Sequence, residues 1–329
     1  MKKLKGKKIF KNLFMIACII ISVSLCSMMF GSNNSLTWVG IIVGIMLYWN
    51  LDIGINKKEA PIVILALFIF TGIANRIAEI NPILGIFVNL ISIFLIMYIP
   101  SEKPEYKAYI PFILIYIFDQ SNIAVGEDFY TRMVSLIVGG IITGVVYYFR
   151  HKNLKEGIHI SKIMKDIDIT SPRFIISIRM AIGVSIAILI GTLLGLQRTM
   201  WISMSVMSLT QLEFETTKER FKHRIVYTLI GAVAFVLLFQ VLIPEKYNGL
   251  ASIILSYIYT FIKDYKHQII FITVNALSAS MLIFDPTEAI GTRILLIISG
   301  CMLAMVINKI DLKKPMIAIK ERLAKPDIA

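Results

Sequence analysis

Twelve apolar runs divide this chain, and few charges interrupt them. The first six cover 12–30, 37–50, 61–75, 83–99, 108–123 and 129–149; the second six cover 174–195, 199–212, 225–243, 248–262, 268–284 and 289–308. In hydrocarbon no water is available to the backbone, so a spanning segment has to satisfy its own N–H and C=O groups, and helix is the default way to do it. Several runs have only about 14 or 15 residues, short of the ~20 that cross a bilayer unaided. Such segments are thin, tilted or broken. With 57% apolar residues and a mean hydropathy of +0.76, the chain lies outside the range of soluble domains. The expectation is an all-α polytopic membrane protein with about 12 transmembrane helices.

The placement of charge orients that reading. The net charge is +13. With twelve crossings and a cytoplasmic start, only Arg76, Arg132, Arg198, Lys246 and Arg293 of the 34 Lys and Arg fall on the outer side. The others crowd the N-terminus, the inner loops, the 150–173 stretch and the tail, as the positive-inside rule requires. Both termini are therefore expected in the cytoplasm of a multi-pass protein of the cell (plasma or inner) membrane. Basic residues dispersed over loops, with no aromatics interleaved on a soluble face, argue against a nucleic-acid partner. The opening MKKLKGKKIFK resembles a signal peptide, but its apolar run continues to Phe30 with no small-x-small cleavage site, so it reads as an uncleaved first helix. Cys18, Cys26 and Cys301 lie inside apolar runs, without metal-ligand spacing, and read as packing residues. No metal or other cofactor is expected.

The two sets of six runs echo each other. AVGEDFYTRMVSLIVGG (124–140) and DPTEAIGTRILLIISG (285–300) both place an acid five residues before an arginine that follows a threonine and meets a glycine seven residues on. Trp38 matches Trp201, Tyr106–Lys107 matches Tyr265–Lys266, and Thr131–Arg132 matches Thr292–Arg293, at offsets of 163, 159 and 161 residues. An even number of crossings per unit makes the copies parallel. The organisation expected is a six-helix membrane repeat at 1–149, a basic cytoplasmic linker at 150–173, a second six-helix repeat at 174–309 and a basic cytoplasmic tail at 310–329. In the linker, Ile160, Ile163, Met164 and Ile167 at helical spacing suit either a helix lying along the inner surface or a solvated connector.

Candidate site residues follow from charge that is costly beside lipid. Arg132 and Arg293 near the outer boundary could hold a carboxylate bidentately, with Glu127, Asp128, Asp285 and Glu288 holding them in reserve. The plainer reading is an interfacial salt bridge at a helix end. Asp119, inside the fifth run, is the candidate for proton coupling, since ionisable groups within membrane segments usually line a pathway. Trp201, Ser205, Ser208 and Gln211 share one face of a short helix, where the indole suits an aromatic ligand; Asn275 makes a weaker case. Arg220, Lys222, His223 and Arg224 read first as a cluster that sets topology.

The second half has a Trp heading a short helix (Trp201), a basic turn leading into RIVYTLIGA (224–232), Tyr265 before the last helix pair, and D-x-x-E-x-x-x-x-R before a glycine-bearing helix. This order resembles the fusaric acid resistance protein-like, or aromatic acid exporter, family of integral membrane transporters. The likeness covers about 172–310. Tyr227 stands where the family pattern R-I-x-G-T-L-x-G has its first glycine, and the linker replaces the sizeable cytoplasmic domain of larger relatives. The resemblance implies export of aromatic or amphiphilic carboxylic acids, with a periplasmic adaptor subunit or a homo-oligomer as partner besides the lipid bilayer and a small organic anion. There is no phosphate-binding G-x-x-x-x-G-K-[ST] loop, and no H-E-x-x-H or G-x-S-x-G, so neither an ATP motor nor an enzyme is expected. An inside-negative potential drives an anion outward by about 2.3 kcal/mol per 100 mV, so membrane potential or a proton gradient suffices. The alternative is a non-transporting membrane subunit or scaffold of an envelope or efflux complex.

Overall fold

The computed structural model describes residues 2–154, 157–196, 198–280, 286–312, 314–317 and 320. Each apolar run contains a helix. The first half holds α1 (Lys2–Phe30), α2 (Ser35–Tyr48), α3 (Ala60–Ala78), α4 (Pro82–Tyr98), α5 (Ile110–Ser121) and α6 (Glu127–His151). A short α7 (Ile160–Lys165) follows. The second half holds α8 (Pro172–Leu193), α9 (Met200–Leu209), α10 (Phe214–Phe235), α11 (Asn248–Tyr259), α12 (Tyr265–Ser280) and α13 (Pro286–Lys309). Six helices among the described residues are long and apolar enough to cross a membrane: those over 12–30, 60–78, 127–151, 172–193, 214–242 and 290–309.

Local sequence sets the helix ends. Asn81 and Ser171 cap α4 and α8 by accepting from the N–H groups of Leu84 and Phe174, each with proline at the first helical position. In α6, Glu127 and Asp128 occupy the first turn and Arg150 and His151 the last, so charge complements the helix dipole at both ends. α10 begins eleven residues before the apolar run at 225 and continues as a π-helix over Val236–Leu242. The basic stretch 218–224 is therefore helix, not turn.

In the first half α3 packs on α6, α4 and α5, and α2 on α5 and α6. In the second half α9 packs on α8 and α13, and α10 on α12 and α13. The halves meet mainly through α4 against α8 and α5 against α9, with a slighter contact of α1 with α11. One core, from Tyr48, Phe68, Phe112 and Tyr147 through Met180 and Val184 to Cys301, runs across that seam. α1 stays nearly bare, its apolar window only 6% buried. Two glycines set close approaches. A Cβ on Gly139 of α6 would meet the Ile41 side chain of α2, and one on Gly300 of α13 would meet the Ile202 carbonyl of α9.

The linker holds the short α7 and is tied to the first half. Asn56 donates to the Ile158 carbonyl and Ile158 to the Gly54 carbonyl, both at 2.9 Å, a short parallel pairing against the 52–59 loop. Glu59 then takes His159 Nδ1 at 2.7 Å and the Ile160 N–H at 2.8 Å. Ile163 is buried, whereas Met164 and Ile167 are exposed.

Candidate functional site

Arg132 enters α6 in its second turn, is 4% exposed, and every nitrogen of its guanidinium has an acceptor. Nε donates to Asn34 Oδ1 at 2.9 Å, Nη1 to the Asn122 carbonyl at 2.6 Å and Nη2 to the Asn33 carbonyl at 3.1 Å. Gly31, at φ +83°, turns the chain out of α1 so that a single 3₁₀ turn, Ser32–Asn34, offers the Asn33 and Asn34 acceptors, while Asn122 stands at the end of α5. Beneath lies Asp119, fully buried, with Oδ1 3.9 Å from Arg132 Nε and accepting from Thr37 Oγ1 at 2.5 Å. The sequence suggested Glu127 and Asp128 as the restraining acids. They sit exposed on the first turn of α6 instead, with Asp128 taking Asn33 Nδ2 at 3.1 Å. The buried acid that reaches the arginine comes from α5, across the bundle. Asp119 is thus tied into the Arg132 cluster rather than standing apart.

Arg293, its match in the sequence pattern, lies in the third turn of α13 in a different environment. It is 4% exposed, and its guanidinium carbon lies 3.7 Å from the centre of the Trp201 ring, a close cation–π stack. Its Nε and Nη2 have no hydrogen-bond partner among the described residues. The charges that act on it there, Arg224 and Arg198, are both positive. Asp285 lies outside the described residues, as does the side chain of Glu288. Trp38, the counterpart of Trp201, takes no arginine; it stacks on Phe30 at 5.5 Å.

Of the polar face expected on α9, Trp201, Ser205 and Ser208 lie on the helix, while Gln211 falls beyond its end at Leu209; arginines from three helices stand along this stretch. Trp201 carries Arg293. Ser208 accepts Arg220 Nη1 on its carbonyl at 3.3 Å, and Gln211 and Leu212 accept Arg179 Nη1 on theirs at 3.0 and 2.8 Å. The lower two thus cap carbonyls at the negative end of α9. Ser205 and Ser208 bond back to α9 carbonyls at 2.8 and 3.0 Å. Asn275, on α12, has an unpartnered Oδ1 among the described residues and gives its carbonyl to Ser278. Below Arg220, whose guanidinium lies 4.9 Å from the Tyr265 ring, a cavity of about 330 Å³ opens at the seam between halves. Lys107, Glu105, Gln211 and Glu213 line it, and burial followed by the Arg220 charge lowers the Lys107 pKa.

Sequence reasoning missed Asn34 and Thr37, whose only signal is a polar cluster just before Trp38. It also left Arg224 to a topology role. That residue is buried in the third turn of α10.

Residues 186–307 match the model of a family described as fusaric acid resistance protein-like. The resemblance drawn from Trp201, RIVYTLIGA and the acid–arginine unit holds over that span. No curated protein and no solved structure matches the chain.

Proposed function

We propose, from a chain whose second half carries the fusaric acid resistance protein-like domain, that this multi-pass helical protein is a secondary exporter of organic anions, aromatic carboxylic acids first among them. One observation carries the reading. Arg293 is buried, with two nitrogens that have no partner among the described residues, one face against an indole, and cations as its described electrostatic neighbours. A buried charge without a counter-charge costs several kcal/mol, and a carboxylate is the ligand that fits a guanidinium fork.

The reading takes the chain as twelve crossings in two parallel six-helix repeats, with both termini in the cytoplasm. Matched pairings support the duplication: α1–α2 with α8–α9, α2–α6 with α9–α13, α3–α5 with α10–α12, and α3–α6 with α10–α13. A pseudo-two-fold also asks that contact of α4 with α8 be answered by contact of α1 with α11; both occur, the second much slighter, while α5 against α9 has no comparable α2–α12 counterpart among the described residues. Membrane potential alone drives a monoanion outward, and Asp119 is the group in the first half through which a proton would couple.

Inverted vesicles loaded with a pH-sensitive dye and offered 4-hydroxybenzoate and related acids test this. Substrate-dependent flux is expected, reduced at least about tenfold in Arg293→Ala, the loss of one charge-assisted contact. Correctly inserted protein that moves none of a broad acid panel would replace the exporter with a non-transporting subunit.

A further inference from the structure

Arg224 has no role in the reading above, yet it is a buried charge. It sits ten residues into α10, about 15 Å along the helix, and is 6% exposed. Its Nε has no hydrogen-bond partner among the described residues, and neither has Thr228 Oγ1, one turn further along the same face. That face, with Gly231 and Phe235, turns toward α12 and α13. Arg224 lies within electrostatic range of Arg293 and also of Cys301, eight residues further down α13, so it stands beside the stretch of α13 between them. The Arg224 charge bears on Arg293 inside a packed interior, whereas Arg220 and the Nη groups of Arg179 nearby donate to carbonyls, with only the Arg179 Nε left over. Like charges are buried together when something of opposite sign belongs between them.

We propose that Arg224 and Arg293 form one two-cation site for a small organic carboxylate, enclosed by α9, α10 and α13, with the anion seated between the guanidiniums and Thr228 donating to it. The site rests on the exporter reading for its ligand class but adds a binding residue from α10. It also gives direction to the path. The cavity at Lys107 and Arg220 is the inner antechamber, and Arg224, one helical turn beyond Arg220, is the first enclosed contact.

The test uses the full-length purified protein in low-chloride sulfate buffer. Thermal unfolding is followed with 4-hydroxybenzoate or chloride added, for the wild type, Arg224→Gln, Arg224→Met and Arg293→Gln. The wild type should be stabilised by 4-hydroxybenzoate. Arg224→Gln should weaken that effect at least about tenfold and lower vesicle flux to match. Without ligand, Arg224→Met should unfold at the wild-type temperature or higher, because an uncompensated buried charge has gone. A purely structural Arg224 would instead lower the ligand-free unfolding temperature in both variants, and that result overturns the proposal. Wild-type binding and flux in Arg224→Gln would do so too; if Arg293→Gln abolishes flux at the same time, the exporter reading survives alone. Stabilisation by chloride that 4-hydroxybenzoate cannot displace would make this an inorganic-anion site and remove the carboxylate assignment.

Discussion

Arg132 and Arg293 hold matching positions in the repeated Thr–Arg sequence pattern, and their described surroundings differ. Around Arg132 the chain supplies Asn34, two loop carbonyls and a buried aspartate, so the cation is spent on holding α2, α5 and α6 together. Around Arg293, among the described residues, it supplies an indole face and two further arginines. A repeated motif thus fixes where a guanidinium stands; the neighbours decide whether it is a brace or an open hand. Asn34 and Asp119 are the residues that make the difference.

The sharpest way to break this comparison is to delete each arginine. Arg132→Met strands Asp119 in the interior and should cost about 3–5 kcal/mol of stability, read as a lower unfolding temperature and poor recovery from membranes. Arg293→Met should leave stability unchanged or better while abolishing flux. Equal instability in both variants would erase the distinction. Next in size, Asp119→Asn added to Arg132→Met should recover about half of that loss, since the stranded carboxylate is gone; a double-mutant cycle on unfolding free energies measures it. A strictly additive result would separate Asp119 from the cluster.

The two glycines sharpen the comparison at smaller scale. Gly300→Ala presses a methyl against the Ile202 backbone carbonyl, whereas Gly139→Ala meets the Ile41 side chain. Overpacking costs about 1–3 kcal/mol, with Gly300→Ala at the upper end and Gly139→Ala at the lower in the same unfolding assay. The smallest effect concerns pH. The His159 hydrogen bond, then that from the Ile160 N–H, holds the Glu59 carboxyl below its ordinary value. A depressed acid contributes fully above its unfolded pKa of 4.5 and loses that contribution as pH falls through the lower folded value. Amide exchange at Ile160 should therefore quicken on acidification relative to the intrinsic rate, and Glu59→Gln should show the fast behaviour already at pH 7.

Much of this architecture could be read from residues alone, because hydropathy reports where backbone must be satisfied internally. Every apolar run holds a helix, and the glycines after the Thr–Arg pairs stand where α6 meets α2 and α13 meets α9. The start of α10 was missed because its first turns carry Glu215, Lys218, Glu219, Arg220, Lys222 and Arg224, which average to a loop-like value. For the same reason Arg224 looked like a surface charge. The partners of Arg132 were sought among acids nearby in sequence, whereas burial pairs residues across the bundle: Asp119 and Asn34 are 13 and 98 positions away. Pattern locates a charge along the chain; only packing reveals its company.

The stack of Arg293 on Trp201 also gives the protein a window for spectroscopy. Of its three tryptophans, Trp38 lies against Phe30, Trp49 lies 4.7 Å from Arg150 at the far end of the first half, and Trp201 alone faces Arg293. With Trp38 and Trp49 replaced by phenylalanine, the remaining indole emission becomes a local voltmeter, changing in colour and intensity as the cation above it gains or loses a counter-ion.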